Sequence, residues 1–153
     1  FLFKNWPDFD NFLWERELNT LQNVKNYDKK IPKIIGCEVD KNIANAAKQN
    51  IKISGLEDYI EIINCTFQEF ELPTGRGLLV CNPPYGKRIG DVKFLPNLYK
   101  EIGNYCKKYA SGWDLWLLNG NPELSKYLGM KARKRFQVNN GSIDCRWLNY
   151  KIN

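Results

Sequence analysis

The stretch Leu78-Leu79-Val80-Cys81-Asn82-Pro83-Pro84-Tyr85 constrains this chain more than any other. Four apolar residues read as a buried strand, and two prolines stop it at once. Each proline has a fixed φ and no N–H, so the turn is rigid and its carbonyls and the Asn82 amide meet no competing main-chain donors. Such a turn suits a planar amine. The Asn82 side-chain oxygen and the Pro83 carbonyl can each accept one proton of an exocyclic NH2, Pro84 stiffens the turn, and Tyr85 offers a ring face for stacking. Asn82, Pro83, Pro84 and Tyr85 are therefore the candidate catalytic residues. An ordinary proline turn closing a strand is the plainer alternative.

The rest of the chain supplies a frame for that turn. Trp6-Pro7-Asp8 reads as a helix start, because proline is tolerated in the first turn and aspartate suits its positive end. Phe9, Phe12, Leu13, Leu18, Leu21 and Val24 then form an amphipathic stripe. Strands are expected at Lys33–Glu38, Ile60–Asn64 and Gly77–Cys81. Asp40 caps a helix that carries Ile43, Ala44, Ala47 and Ile51 and stops near Gly55. Helical spacing returns at Leu95, Leu98, Tyr99, Ile102, Cys106 and Tyr109. Trp113–Leu118 is a strand, Pro122 opens a short helix, and Arg133–Val138 and Asp144–Lys151 form a hairpin around Asn139-Asn140-Gly141. This alternation predicts an α/β sheet ending in an antiparallel pair. The whole of residues 1–153 reads as one compact domain or part of one.

Composition removes several chemistries. The chain contains no histidine, which excludes a Ser-His-Asp triad, a Cys-His pair and any imidazole metal site. The five cysteines (Cys37, Cys65, Cys81, Cys106, Cys145) include no C-x-x-C and read as buried free thiols of a reducing, cytoplasmic setting. No metal site is expected. No stretch approaches the roughly 18–20 apolar residues that span a bilayer, so no membrane partner is expected. Lys and Arg outnumber Asp and Glu by 23 to 17, a net +6 that favours polyanionic partners. The five tryptophans read as core residues, none spaced as a stacking platform.

Further site residues follow from their positions at strand ends. Glu38 lies at the carboxyl end of a strand, where open α/β sheets place ligands and where a carboxylate can accept both hydroxyls of a ribose. Asp40 is left to helix capping. Asn64-Cys65-Thr66, after the next strand, stands where an adenine ring would lie, and a polar side chain there could meet the purine amine; a plain loop is the alternative. Lys87 and Arg88 follow Tyr85 and offer two cations for RNA phosphates, with a solvated surface pair as the alternative. Lys126, Lys131, Arg133, Lys134 and Arg135, with Arg146 across the hairpin, form a second cationic group. Contacts of this kind position a nucleic acid without reading its sequence. Arg133, Lys134 and Arg135 are its candidate RNA-binding members, and a solvated basic hairpin is the alternative.

The Asn-Pro-Pro-Tyr pattern resembles that of S-adenosylmethionine-dependent methyltransferases acting on base amines. The longer run Asn82-Pro83-Pro84-Tyr85-Gly86-Lys87-Arg88 resembles the signature of THUMP-containing ribosomal RNA guanine-N2 methyltransferases of the large subunit. The opening helix with Trp14, the segment Gly36-Cys37-Glu38-Val39-Asp40, and Asn140-Gly141-Ser142-Ile143-Asp144-Cys145 through Asn149-Tyr150 are similar to the same group in the same order. The resemblance implies a Rossmann-like methyltransferase domain, S-adenosylmethionine as cofactor (held in part by Glu38, Cys65, Thr66 and Asn82), and 23S ribosomal RNA as substrate. An adenine-N6 methyltransferase and a non-catalytic RNA-binding fragment are the rival readings. Thr66 stands where this family carries an acid. The family's first strand and glycine-rich loop, and the THUMP region before them, have no counterpart in the sequence. The chain is therefore expected to be the C-terminal part of a catalytic domain. As such it would be inactive alone and strained, self-associated or dependent on the upstream segment.

Overall fold

The computed structural model describes residues 1–23, 31–86 and 93–153. The chain divides into two units, Phe1–Cys65 and Thr66–Asn153.

In the first unit a 3₁₀ turn over Leu2–Asn5 precedes helix α1 (Asn11–Asn23), strand β1 (Ile34–Cys37), helix α2 (Lys41–Ile53) and strand β2 (Ile60–Ile63). The helix start expected at Trp6-Pro7-Asp8 moves. Phe9 N–H donates to the Trp6 carbonyl at 3.1 Å, so Pro7 occupies the second position of a β-turn, which its fixed φ suits. Asp10 caps α1 instead, its Oδ1 accepting from Leu13 N at 2.9 Å. Val24 of the expected stripe lies outside the described residues. Strands β1 and β2 pair in parallel, Ile34 against Ile60 through Cys37 against Ile63. Asp40 caps α2 as expected, its Oδ1 accepting from Asn42 N at 2.7 Å and Ile43 N at 3.1 Å.

The second unit holds β3 (Leu78–Cys81), α3 (Leu95–Tyr109), β4 (Asp114–Asn119), a 3₁₀ helix at Leu124–Leu128, β5 (Lys134–Asn140) and β6 (Ile143–Lys151). The sheet order is β3-β4-β6-β5, with β3 parallel to β4 and the remaining pairs antiparallel. The hairpin turn is the two residues Gly141 and Ser142, one step later than the sequence suggested. Gly141 has φ +60° and no non-glycine residue described has positive φ, which are the φ signs of a type II′ turn. One sheet face carries Leu79, Cys81, Leu115, Leu117, Leu148 and Tyr150 into a core with Leu95, Tyr99 and Cys106 of α3 and Leu124 and Leu128 of the 3₁₀ helix.

The α/β sheet ending in an antiparallel pair is thus present, but as two sheets. No strand of the described residues bonds to the outer edge of β1 or of β3, and the pairing divides there. Two composition-based expectations are corrected. All five cysteines are free, but Cys37 is exposed rather than buried, because β1 is an edge strand. Trp113 is a core residue, whereas Trp6 is 65% exposed. Trp116 stacks on Phe136 (6.0 Å between ring centres) and on Trp147 (5.7 Å). That platform was invisible in the sequence because its members sit on three strands. Register brings them together, Phe136 and Leu118 both lying opposite Trp147.

Candidate functional site

In the first unit Glu38 follows directly on β1, whose last ladder bond joins Glu38 N to the Ile63 carbonyl at 3.1 Å. Its Oε1 accepts from Asp40 N at 2.9 Å. Among the described residues no hydrogen bond engages the other carboxylate oxygen. The loop is pinned from β2's end by Asn64, whose Nδ2 donates to the carbonyls of Glu38 (2.8 Å) and Val39 (3.0 Å). Sequence reasoning set Asn64 with the adenine segment; the fold instead makes it a positioning residue, its amide turned back onto the loop of Glu38, 26 residues away. Cys65 shares a thiol hydrogen bond with Cys37. Although Cys37 is exposed as a residue, partial desolvation of its thiol first, and Cys65 second, push that thiol up to about 11, so it stays protonated at neutral pH.

Thr66 opens the second unit. Its N–H and hydroxyl both donate to Glu69 Oε2, at 3.0 and 2.8 Å, closing a tight turn. Those two donors lower the Glu69 carboxyl below its usual range. While donating, the Thr66 hydroxyl still has lone pairs able to accept.

Asn82 leaves the end of β3 exposed, and no hydrogen bond among the described residues engages its amide. Pro83 is buried, Pro84 exposed and Tyr85 half-buried. The tyrosine is held from two sides. Its hydroxyl accepts from Asn140 Nδ2 at 2.9 Å, at the end of β5. Its ring lies against Gly120, where an added Cβ would stand 2.7 Å from both Cδ2 and Cε2. Gly120 in turn follows Asn119, a side chain 2% exposed that accepts from Asn121 N at 2.9 Å and from the Tyr99 hydroxyl at 3.3 Å. Beneath the turn, burial pushes the Cys81 thiol up to about 12. It is a neutral wall, not a nucleophile. The Asn140 and Gly120 supports were not legible in the sequence, where Asn140 read only as part of the hairpin turn.

The structure places the RNA-binding candidates unequally. Lys87 and Arg88 lie outside the described residues. Arg133 precedes β5 and donates its N–H to the Asn149 carbonyl at 2.7 Å. Lys134 and Arg135 are adjacent on β5, so they point to opposite faces of the sheet. Among the described residues no group of three His, Cys, Asp or Glu could hold a metal ion. No helix described is long and apolar enough to cross a membrane.

The sequence and fold that carry this turn are similar to those of known proteins. A family model described as RMKL-like, methyltransferase domain, matches residues 4–149. The chain belongs to that family. It is 37% identical over 152 residues to a protein of Synechocystis sp. (strain PCC 6803) provisionally named an RNA methyltransferase, covering 99% of this chain and 39% of that protein. It is 32% identical to the ribosomal RNA large subunit methyltransferase K/L of Syntrophotalea carbinolica, covering 98% of this chain and 22% of that one. The chain thus spans less than two-fifths of the length of either relative. Among solved structures, SMU.472, provisionally named a methyltransferase and crystallised with S-adenosylhomocysteine (SAH), superposes with a TM-score of 0.81 at 29% identity, over 100% of this chain and 40% of that one. The family resemblance and the α/β methyltransferase fold expected from the sequence are both borne out, and S-adenosylmethionine is the cofactor that goes with them.

Proposed function

We propose that this chain carries the amine-recognising part of an S-adenosylmethionine-dependent RNA methyltransferase whose target is N2 of a guanine in 23S ribosomal RNA, acting in the cytoplasm. The observation that carries the reading is the free Asn82 amide at the end of β3, beside a Tyr85 fixed by Asn140 and Gly120. Asn82 Oδ1 and the Pro83 carbonyl accept the two amine hydrogens of a base turned out of its stack. Accepting both hydrogens at once turns the nitrogen lone pair out of conjugation with the ring and aims it away from the turn. Tyr85 supplies a stacking surface whose orientation is set before substrate arrives. Positioning and electrostatics then carry the rate, and no strong general base is needed from a chain without histidine.

The residues present fit the cofactor. Glu38 has one carboxylate oxygen occupied by Asp40 N and the other available for ribose hydroxyls, and Asn64 holds its loop in place. When bound, S-adenosylmethionine supplies a sulfonium methyl group as the electrophile. The finer target rests on the Gly86-Lys87-Arg88 extension and on the name of the Syntrophotalea relative.

Nucleoside analysis of RNA treated with this chain joined to its expected upstream segment tests the reading. N2-methylguanosine is expected, at a yield that Glu38→Ala reduces through weaker cofactor binding. N6-methyladenosine would overturn the guanine assignment and leave methyl transfer standing. RNA binding without any methylated nucleoside would leave only a binding fragment. Gly120→Ala tests the brace on Tyr85. The added methyl would overlap the ring edge, and displacing a positioned group by about 1 Å can cost on the order of 10²-fold in rate. Asn140→Ala, which removes one exposed hydrogen bond, is expected to fall between Gly120→Ala and the unsubstituted protein. Equal turnover in all three would show that the orientation of Tyr85 does not matter.

A further inference from the structure

In the second unit a cavity of about 390 Å³ opens between the 3₁₀ helix and the hairpin, at the end of β4. Its lining includes Lys126, Lys131, Arg135, Arg146, Asn119 and Tyr150, and no carboxylate. Lys126 pairs outward with Glu123 at 2.6 Å. No ion pair among the described residues involves Lys131, Arg135 or Arg146. The two arginines come to one face through the register, because Arg135 lies opposite Leu148 and Arg146 opposite Gln137. They are diagonal neighbours, within about 8 Å at their bases. Two guanidinium groups side by side with no counter-charge repel unless an anion joins them, and their planar forks match phosphate oxygens. Asn119, a buried member of the lining, is next to Gly120, on which Tyr85 rests.

We infer that this cavity holds a backbone phosphate of the RNA strand whose base is presented to Asn82 and Tyr85. The inference rests on the proposed function for its ligand, and it assigns the hairpin's cations more narrowly than their clustering in sequence does. Arg135, Arg146 and Lys131 bind phosphate, whereas Lys134 faces the other side of the sheet.

The test is the salt dependence of binding of a fluorescent single-stranded RNA oligonucleotide to the full chain. Each phosphate contact contributes about 0.7 to the slope of log affinity against log salt. The double variant Arg135→Gln with Arg146→Gln removes both arginines from that one phosphate and is expected to flatten the slope by about 0.7. Lysine at both positions should restore it, and Lys151→Gln, on the opposite face of β6, should leave it unchanged. An unaltered slope in the double glutamine variant overturns the inference, as does an equal loss in Lys151→Gln or no RNA binding by the unsubstituted chain. Inorganic phosphate that saturates the cavity while the substitutions leave RNA binding untouched would make it a free-anion site and overturn it too. All three positions are exposed, so unchanged melting temperatures should accompany each variant. Methyl transfer absent from the unsubstituted protein, with the slope flattened in the double glutamine variant, would sink the proposed function alone; methyl transfer present, with the slope unaltered in that variant, would sink the phosphate site alone.

Discussion

Asn82→Ala is expected to reduce methyl transfer on the order of 10²–10³-fold, the usual cost of deleting one preorganised polar group aimed at a reacting centre. The cofactor's dissociation constant should barely move. The loss should fall on kcat more than on KM, because accepting the amine hydrogens matters most as the nitrogen changes hybridisation, while stacking on Tyr85 holds the base in both states. The fold should not suffer. The amide is exposed and makes no hydrogen bond among the described residues, so its removal strands no buried partner. Asn82→Asp gives a useful contrast, keeping an acceptor in place but adding a charge. It should retain more rate than alanine does. Single-turnover rates and calorimetric titration with S-adenosylhomocysteine, on a preparation with demonstrated methyl transfer, separate these effects. Unchanged turnover in Asn82→Ala would remove the residue from the mechanism.

Much of this arrangement was readable without coordinates, for physical reasons that can be named. Strand β3 and its stop were legible because four apolar residues and two prolines leave the backbone few choices. Asp40 as a cap was legible because capping is local, spanning three residues. Helix α3 was legible because its apolar residues keep a 3.6-residue period from Leu95 to Tyr109. What failed was either a local competition or a long-range meeting. Trp6-Pro7-Asp8 carries signals for both a helix start and a turn, and the turn won because Asp10 was a better-placed cap. The Trp116, Phe136 and Trp147 stack, the Asn64 clamp on Glu38 and the Asn140 brace on Tyr85 each join residues far apart in sequence. Composition named the cations of the hairpin, but only the pleat of β5 decided which of them share a cavity. The site residues were chosen by chemistry; their supports needed the fold.

Gly103→Ala is expected to destabilise the second unit by about 2–3 kcal/mol, against the direction that helix propensity alone dictates. In the middle of α3, replacing glycine by alanine ordinarily gains about 1 kcal/mol. Here an added Cβ would lie 2.1 Å from the Leu128 carbonyl oxygen and 2.7 Å from its carbonyl carbon. Those atoms are backbone, so no side chain can swing aside. Leu128 is fully buried, and its neighbour Gly129 closes the 3₁₀ helix at φ +61°. Relieving the overlap therefore means moving Leu128 and Leu124 together out of the core, and that loss exceeds the propensity gain. Asn104→Ala, one residue on and exposed, isolates the propensity term and should stabilise by roughly half a kcal/mol. Adjacent substitutions to the same residue should thus shift the melting temperature in opposite directions, down by about 5–10 °C for Gly103→Ala and up by about 1–2 °C for Asn104→Ala. Circular dichroism of the stacked Trp116 and Trp147 follows the unit directly. Stabilisation in both variants would mean that α3 and the 3₁₀ helix do not approach as closely as described.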